Sequence, residues 1–369
     1  MTDPLGGLPP QPAEEPPRAE SPPPLRPPRT TTVALLIALG AVFAAEAAVS
    51  GDPAVESPAA LLRLGALYLP AVLDGDWWRI GSYAFLHIGW LHIAFNGYAL
   101  WVLMPQIELT FGPNLALGFF AATAIAGGAA SAVWSLHTGH HALAAGASGG
   151  VFGLFGATIA LYLRVRRQLP EEARRRIMRA IAVNLLINLA IAFKAPVDNA
   201  AHLGGLFSGL LLGLVAPRVR EPRTLVHRAA QGVLVASALL LAAMEGAAVA
   251  RAVKPKPRTL RAAGVEAQVP GLFIPLEPGL AGLPGAAMLG ISSDREALKI
   301  SPGEDAVHIG DRTWLRERGQ EKGADVTRLA ASDGGGRVVI ELWCGADFCR
   351  GPAGERICEQ VARTLRTTR

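Results

Sequence analysis

The chain has 369 residues, 51% of them hydrophobic and 18% charged, and a mean hydropathy of +0.32, which makes it more apolar than an ordinary soluble domain. Its net charge of +5 does not point to nucleic acid, because the arginines gather at the ends of apolar segments instead of forming a stripe interleaved with aromatics. The three cysteines, Cys344, Cys349 and Cys358, all fall near the C-terminal end, so no disulfide framework organises the fold.

Residues 1–30 are dominated by proline and cannot bury enough apolar surface to offset chain entropy, which predicts a disordered tail. The apolar segment over 31–50 follows Arg18, Arg26 and Arg29. It starts too far from Met1 for a cleaved signal peptide and is expected to remain as a spanning helix. Residues 51–81 mix Asp52, Glu56, Arg63, Asp74 and Asp76 with Trp77-Trp78, which suits a loop at the membrane surface. Six further apolar runs follow at 83–104, 113–135, 147–163, 177–193, 200–216 and 229–250, most near the ~20 residues that a bilayer crossing requires. The run at 177–193 is the weakest, because Asn184 and Asn188 interrupt it.

Short loops rich in Lys and Arg stay in the cytoplasm. Arg164, Arg166, Arg167, Arg174, Arg175, Arg176 and Arg179 cluster between the fourth and fifth segments, and Arg218, Arg220, Arg223 and Arg228 follow the sixth. Both loops are therefore expected inside, with the N-terminal tail. Segments two, four and six then run from the outer face inward, and their starts carry His92 and Asn96, Ser148, and His202 at matching depth. After Ala250 the charge returns, and seven crossings place residues 251–369 outside. Alternation over Arg337–Trp343 and an amphipathic stretch over Glu355–Arg366 predict a small soluble α+β domain after a Gly/Pro-rich linker near 265–290. In an oxidising compartment Cys344 and Cys349 are a possible pair, with the third cysteine leaving the partner unsettled.

The chemistry concentrates in Gly146-Ala147-Ser148-Gly149-Gly150-Val151-Phe152-Gly153 and Ala201-His202-Leu203-Gly204-Gly205. Ionisable residues inside a membrane are functional candidates by default. A serine hydroxyl needs a base to take its proton, and histidine titrates near working pH. Gly205, Gly209 and Gly213 recur every four residues and His202 lies on the same side, while the fourth segment offers Gly149 and Gly153. Such strips let two backbones touch, which would bring the imidazole to Ser148. His92 and Asn96 share one helical face as candidate oxyanion donors, with the Ser148 N–H as a third. His137, His140 and His141 form an H-x-x-H-H cluster that could bind a metal adventitiously, but a solvated loop is the preferred reading, and His227 and His308 lie outside the apolar core. No cofactor or metal is expected, since the cysteines have no second Cys/His pair nearby.

These residues resemble the rhomboid intramembrane serine proteases: Gly146-x-Ser148-Gly149-x-x-x-Gly153, Ala201-His202-x-x-Gly205-x-x-x-Gly209 and His87-x-x-x-x-His92-x-x-x-Asn96, with Trp78-Arg79 and Glu108-x-x-x-Gly112 as further marks. The resemblance covers roughly 31–217 and implies an all-α polytopic membrane protein, a rhomboid-like six-helix bundle with a Ser-His dyad and no third acid. Ser148 would be the nucleophile, His202 the base, and His92 and Asn96 oxyanion stabilisers. His87 would hold the surface loop. The implied reaction is hydrolysis of peptide bonds in or near transmembrane helices of membrane-protein substrates, which should carry Gly, Ser or Pro near the cut. Phe152 stands where many bacterial members carry tyrosine, and its ring can still pack on His202.

The organisation expected is thus a cytoplasmic tail (1–30), a protease core (31–217), a cytoplasmic loop with a seventh transmembrane helix (218–250), and a linker with an extracytoplasmic domain (251–369). The expected setting is the cell membrane, in a bacterium the inner membrane, with lipid and transmembrane substrates as partners and no nucleic acid. The competing reading is an inactive rhomboid-like protein that binds transmembrane helices. Intact Ser148 and His202 weigh against it. A transporter is disfavoured because no inverted pair of broken helices surrounds charged midplane residues.

Overall fold

Proline and glycine decide where the apolar runs become separate helices. The computed structural model describes residues 29–50, 57–140, 142–194, 197–219, 224–262, 265–271, 273–277, 280–283, 287–292, 306–309, 312–321, 324–333, 336–344 and 352–367. Residues 1–28 of the expected disordered tail, and Cys349 with its proposed pairing, lie outside these residues. Helix α1 (Thr30–Ser50) is followed by three short helices, α2 (Pro58–Leu64), α3 (Leu69–Leu73) and α4 (Arg79–Ser82). Then come α5 (Gly89–Phe111), α6 (Pro113–Thr138), α7 (Ser148–Val165), α8 (Glu171–Lys194), α9 (Asn199–Val215) and α10 (Leu225–Val253). Four of them, α1, α6, α10 and α7 with the turn after it, are long and apolar enough to cross a bilayer. Together with outward-facing apolar side chains such as Ile37, Leu91, Phe95, Leu211 and Leu239, they make this a multi-pass membrane protein. The side chains of Asn184 and Asn188 lie outside the described residues.

The second apolar run does not form a helix over 83–104. Leu86 is extended and Gly89 takes φ +78°, so Tyr83–Phe85 closes as a 3₁₀ turn and α5 starts six residues later than expected. At its other end α5 continues through Pro105. Proline donates no N–H to the carbonyl four residues back, and here Arg29 Nη1 donates to that carbonyl, Trp101 O, at 3.1 Å. Its guanidinium lies 3.9 Å from the Trp101 ring centroid. Lower on the same pair of helices, Glu108 Oε1 accepts from Thr32 N at 2.7 Å and from Thr32 Oγ1 at 2.8 Å. Gly112, at φ +88°, then turns the chain directly into α6.

Beyond α10 the chain enters strands almost at once. Strands β1 (Arg258–Ala262) and β2 (Val265–Val269) join β10 (Arg366–Thr367) in one sheet. Strands β3 (Ile274–Glu277), β4 (Leu280–Leu283), β5 (Ala287–Ser292), β6 (Ala306–Ile309), β7 (Arg312–Glu321), β8 (Ala324–Asp333) and β9 (Gly336–Cys344) form an antiparallel sheet in the order β3-β4-β5-β9-β8-β7-β6. Helix α11 (Pro352–Thr364) packs Cys358, Val361 and Ala362 into the same core. The linker expected near 265–290 is therefore β2 to β5. Its glycines and prolines punctuate short strands, and Pro275 is tolerated because β3 is an edge strand.

This C-terminal core is continuous with the loop between α1 and α5. Leu62, Tyr68 and Ala71 share a cluster with Leu260, Val269, Phe273 and Trp314. At its rim Arg258 pairs with both Asp74 and Asp76, while Arg79 Nε donates to Asp76 Oδ2 at 3.0 Å and Arg79 Nη1 to Leu62 O at 2.7 Å. Burial lowers the pKa of Arg79, and the neighbouring Asp76 carboxylate pulls it back up. A buried charge needs such partners to persist. The α2–α4 loop and the strand region thus sit at one end of the bundle, the end at which α7 begins.

Candidate active site

Two sets of small residues bring α7 and α9 into backbone contact. A Cβ on Gly205 would lie 2.0 Å from Gly149 O, and one on Gly209 would lie 1.9 Å from Gly153 O. A Cβ on Gly153 would meet Thr123 Oγ1 of α6 at 2.0 Å. Only hydrogen fits at these positions, so α7 and α9 approach as closely as backbones can, and the Thr123 side chain of α6 packs directly on the α7 backbone.

That approach brings the first turn of α7 against the first turn of α9. His202 Nε2 lies 2.9 Å from Ser148 Oγ, a full hydrogen bond. The Phe152 ring, one turn down α7, stacks on the imidazole at 4.2 Å between centroids and 10° between planes. The start of α9 is fixed by Asp198, which caps it by accepting from Ala201 N at 2.9 Å and accepts from Ser131 Oγ of α6 as well. Ser148 itself opens α7, so its backbone N–H stands outside that helix's own hydrogen-bond ladder.

The loop before Ser148 is held from both sides. Leu67 and Ala144 exchange two backbone hydrogen bonds at 2.9 Å, and Gly146 N donates to Tyr83 O at 2.9 Å. The Tyr83 hydroxyl is anchored on Ala124 O at 2.9 Å. Gly146 takes φ +137°, and a Cβ there would meet His92 Cε1 at 2.6 Å and Ser148 Oγ at 3.7 Å. This glycine therefore lets the His92 ring lie beside the serine. Ile88 N donates to His92 Nδ1 at 3.4 Å. A neutral imidazole that accepts at Nδ1 carries its proton on Nε2, the nitrogen that a Gly146 Cβ would meet at 2.7 Å.

The remaining sequence candidates fall around this centre. Asn96 is buried one turn further along α5, and its Nδ2 donates to His92 O at 3.2 Å instead of to the dyad. His87 is fully buried, with its N–H on Glu46 Oε1 at 2.9 Å, Nδ1 3.2 Å from Phe85 O, and its ring edge-on to His92 at 5.2 Å. His137 and His140 are exposed at the end of α6, and His141 lies outside the described residues. Sequence reasoning missed Glu46, Tyr83, Ser131 and Asp198. Of these, only Asp198 had a local signal, an acidic N-cap three residues before a helical amide.

Residues 74–218 match the family model of the Rhomboid domain. The chain carries a Rhomboid domain. The rhomboid match contains the dyad and His92, and it leaves α1, α10 and the strands outside. The chain is 34% identical over 149 residues to Rhomboid protease GluP of Bacillus subtilis (strain 168), covering 40% of this chain and 28% of that protein. It is 33% identical over 155 residues to RHOMBOID-like protein 5 of Arabidopsis thaliana, covering 42% and 49% respectively. With Rhomboid protease AarA of Providencia stuartii it shares 28% identity over 171 residues, covering 42% and 61%. The chain thus spans about a quarter to three-fifths of the length of these rhomboid relatives.

Proposed function

We propose that this chain is a rhomboid-family intramembrane serine endopeptidase that cuts membrane proteins in or near their transmembrane helices. The observation that carries the reading is the 2.9 Å contact between Ser148 Oγ and His202 Nε2 at the starts of two helices. His202 Nε2 takes the hydroxyl proton as Oγ attacks the scissile carbonyl. It then gives that proton to the leaving amine, and the resulting acyl-enzyme is hydrolysed when His202 activates a water in the same way. His92 Nε2–H, the Ser148 N–H and the Asn96 amide stabilise the oxyanion. For Asn96 this requires the amide to turn from the His92 carbonyl when substrate binds. Among the described residues no carboxylate accepts from His202 Nδ1, so the Phe152 stack and the Asp198-capped helix take over the orienting role of a third acid.

Helices α1 and α5 to α10 are assigned as seven crossings, with the N-terminus in the cytoplasm. The strand region then lies outside, in keeping with its contacts to the loop beside Ser148. Substrate helices must unwind locally at the cut, because a helical carbonyl is shielded. The test is cleavage of a model transmembrane substrate by purified protein in detergent. Wild type should cut it and Ser148→Ala should not. Equal cleavage by both would remove Ser148 as nucleophile, while no cleavage by either across substrates with Gly, Ser or Pro in the helix would favour a helix-binding role.

A further inference from the structure

At the far end of α7 from Ser148 lies an open recess with a volume of about 460 Å³, walled by Arg166, Arg167, Arg174 and Arg175 with Glu171 between them. The 18 residues of α7 span about 27 Å at 1.5 Å per residue. With Ser148 near the outer leaflet, the recess falls at the depth of the inner-leaflet headgroups. Glu171 is the only carboxylate in the lining. It pairs with Arg174, and it accepts from Arg175 Nε at 2.9 Å. The guanidiniums of Arg166 and Arg167 make no hydrogen bond or ion pair with any other described residue. Four cations against one anion leave the recess at three positive charges. Arg164, by contrast, turns away and donates to Gly213 O at 3.1 Å and Ala216 O at 2.7 Å, closing the end of α9.

A site of this kind suits a phosphate ester, because guanidinium forks match phosphate oxygens in pairs. What surrounds it selects among phosphate esters. Tyr162 supplies an interfacial aromatic, and Met178 and Leu163 beside it are exposed apolar side chains. A lipid presents its phosphate to the arginines with its acyl chains along those apolar faces, whereas a soluble phosphate has no use for them. We propose that this recess binds the phosphate headgroup of an anionic phospholipid of the cytoplasmic leaflet. The site is spatially separate from the dyad, and its occupancy is independent of peptidase activity.

The full-length protein in neutral detergent is mixed with micelles of dioleoyl phosphatidylglycerol or dioleoyl phosphatidylcholine, and bound lipid is counted by native mass spectrometry. Wild type and Ser148→Ala should both retain phosphatidylglycerol over phosphatidylcholine. Neutralising two arginines in Arg166→Gln/Arg167→Gln should weaken that retention roughly a hundredfold, since each direct guanidinium–phosphate hydrogen bond contributes about tenfold. The control Arg218→Gln/Arg228→Gln removes the same charge from the same side of the bundle but outside the recess, and should change retention by less than about twofold. Equal loss in both double variants, or equal retention of the two lipids, would reduce the arginines to a diffuse topology signal and overturn the proposal. Displacement of phosphatidylglycerol by inorganic phosphate alone would assign the recess to a soluble phosphate and overturn the lipid assignment.

Discussion

The contact between α7 and α9 sets the geometry of the dyad, and Gly205→Ala tests it with a single methyl group. In the native packing that methyl carbon would sit 2.0 Å from Gly149 O. A carbon approaches a carbonyl oxygen no closer than about 3.3 Å, so the helices must separate by about 1.3 Å there. Residue 205 is less than one helical turn from His202, so most of this retreat reaches the imidazole. It would stretch the 2.9 Å contact past the ~3.5 Å at which a hydrogen bond is lost. Misplacement of this size costs about a hundredfold in rate, and overpacking costs about 1–3 kcal/mol in stability. The assay is kcat on a model transmembrane substrate, run beside a thermal melt. Gly232→Ala and Gly246→Ala in α10, where nothing lies within 4 Å, are the controls and should match wild type in rate. If Gly205→Ala kept full kcat and an unchanged melt, the close approach of the two helices would not be what positions the base.

Other expected outcomes follow from the same contacts. His92→Ala should lower kcat by about 10²–10³ with little change in KM, because an oxyanion donor acts in the transition state; a change in KM alone would exclude that role. Phe152→Ala removes the stack on His202 and should cost about 0.5–1.5 kcal/mol of activation free energy, while Phe152→Tyr, which keeps the ring face, should retain wild-type kcat. Arg258→Ala strips Asp74 and Asp76 of a buried partner and should destabilise the protein by about 3 kcal/mol, at the low end for a broken buried pair because Asp76 keeps Arg79. That cost is read from thermal unfolding, and an unchanged melt would mean the strand region does not dock on the α2–α4 loop.

Most of the helical architecture was legible because bilayer-length apolar runs leave few alternatives. The contact between Ser148 and His202 was legible because the two residues sit on small-residue strips that permit close approach. The start of α5 was not, because residues 83–88 are as apolar as a helix and only backbone angles at Leu86 and Gly89 break it. Its end was misplaced at Pro105, since the compensating donor, Arg29, comes from 72 residues away. Glu46 on His87 and Ser131 on Asp198 are likewise pairings across 41 and 67 residues, with no local pattern to announce them. The strands from β2 to β5 read as a linker in the sequence because glycine and proline mark the ends of short strands as readily as they mark coil.

Whether this rhomboid domain does covalent chemistry is decided most directly at Ser148 itself. Purified protein treated with a fluorophosphonate, which phosphonylates only an activated serine, is digested and mapped by mass spectrometry. A single adduct on Ser148 that disappears in His202→Ala is the expected result. No adduct on the wild type, or one that forms equally without the imidazole, would contradict the account.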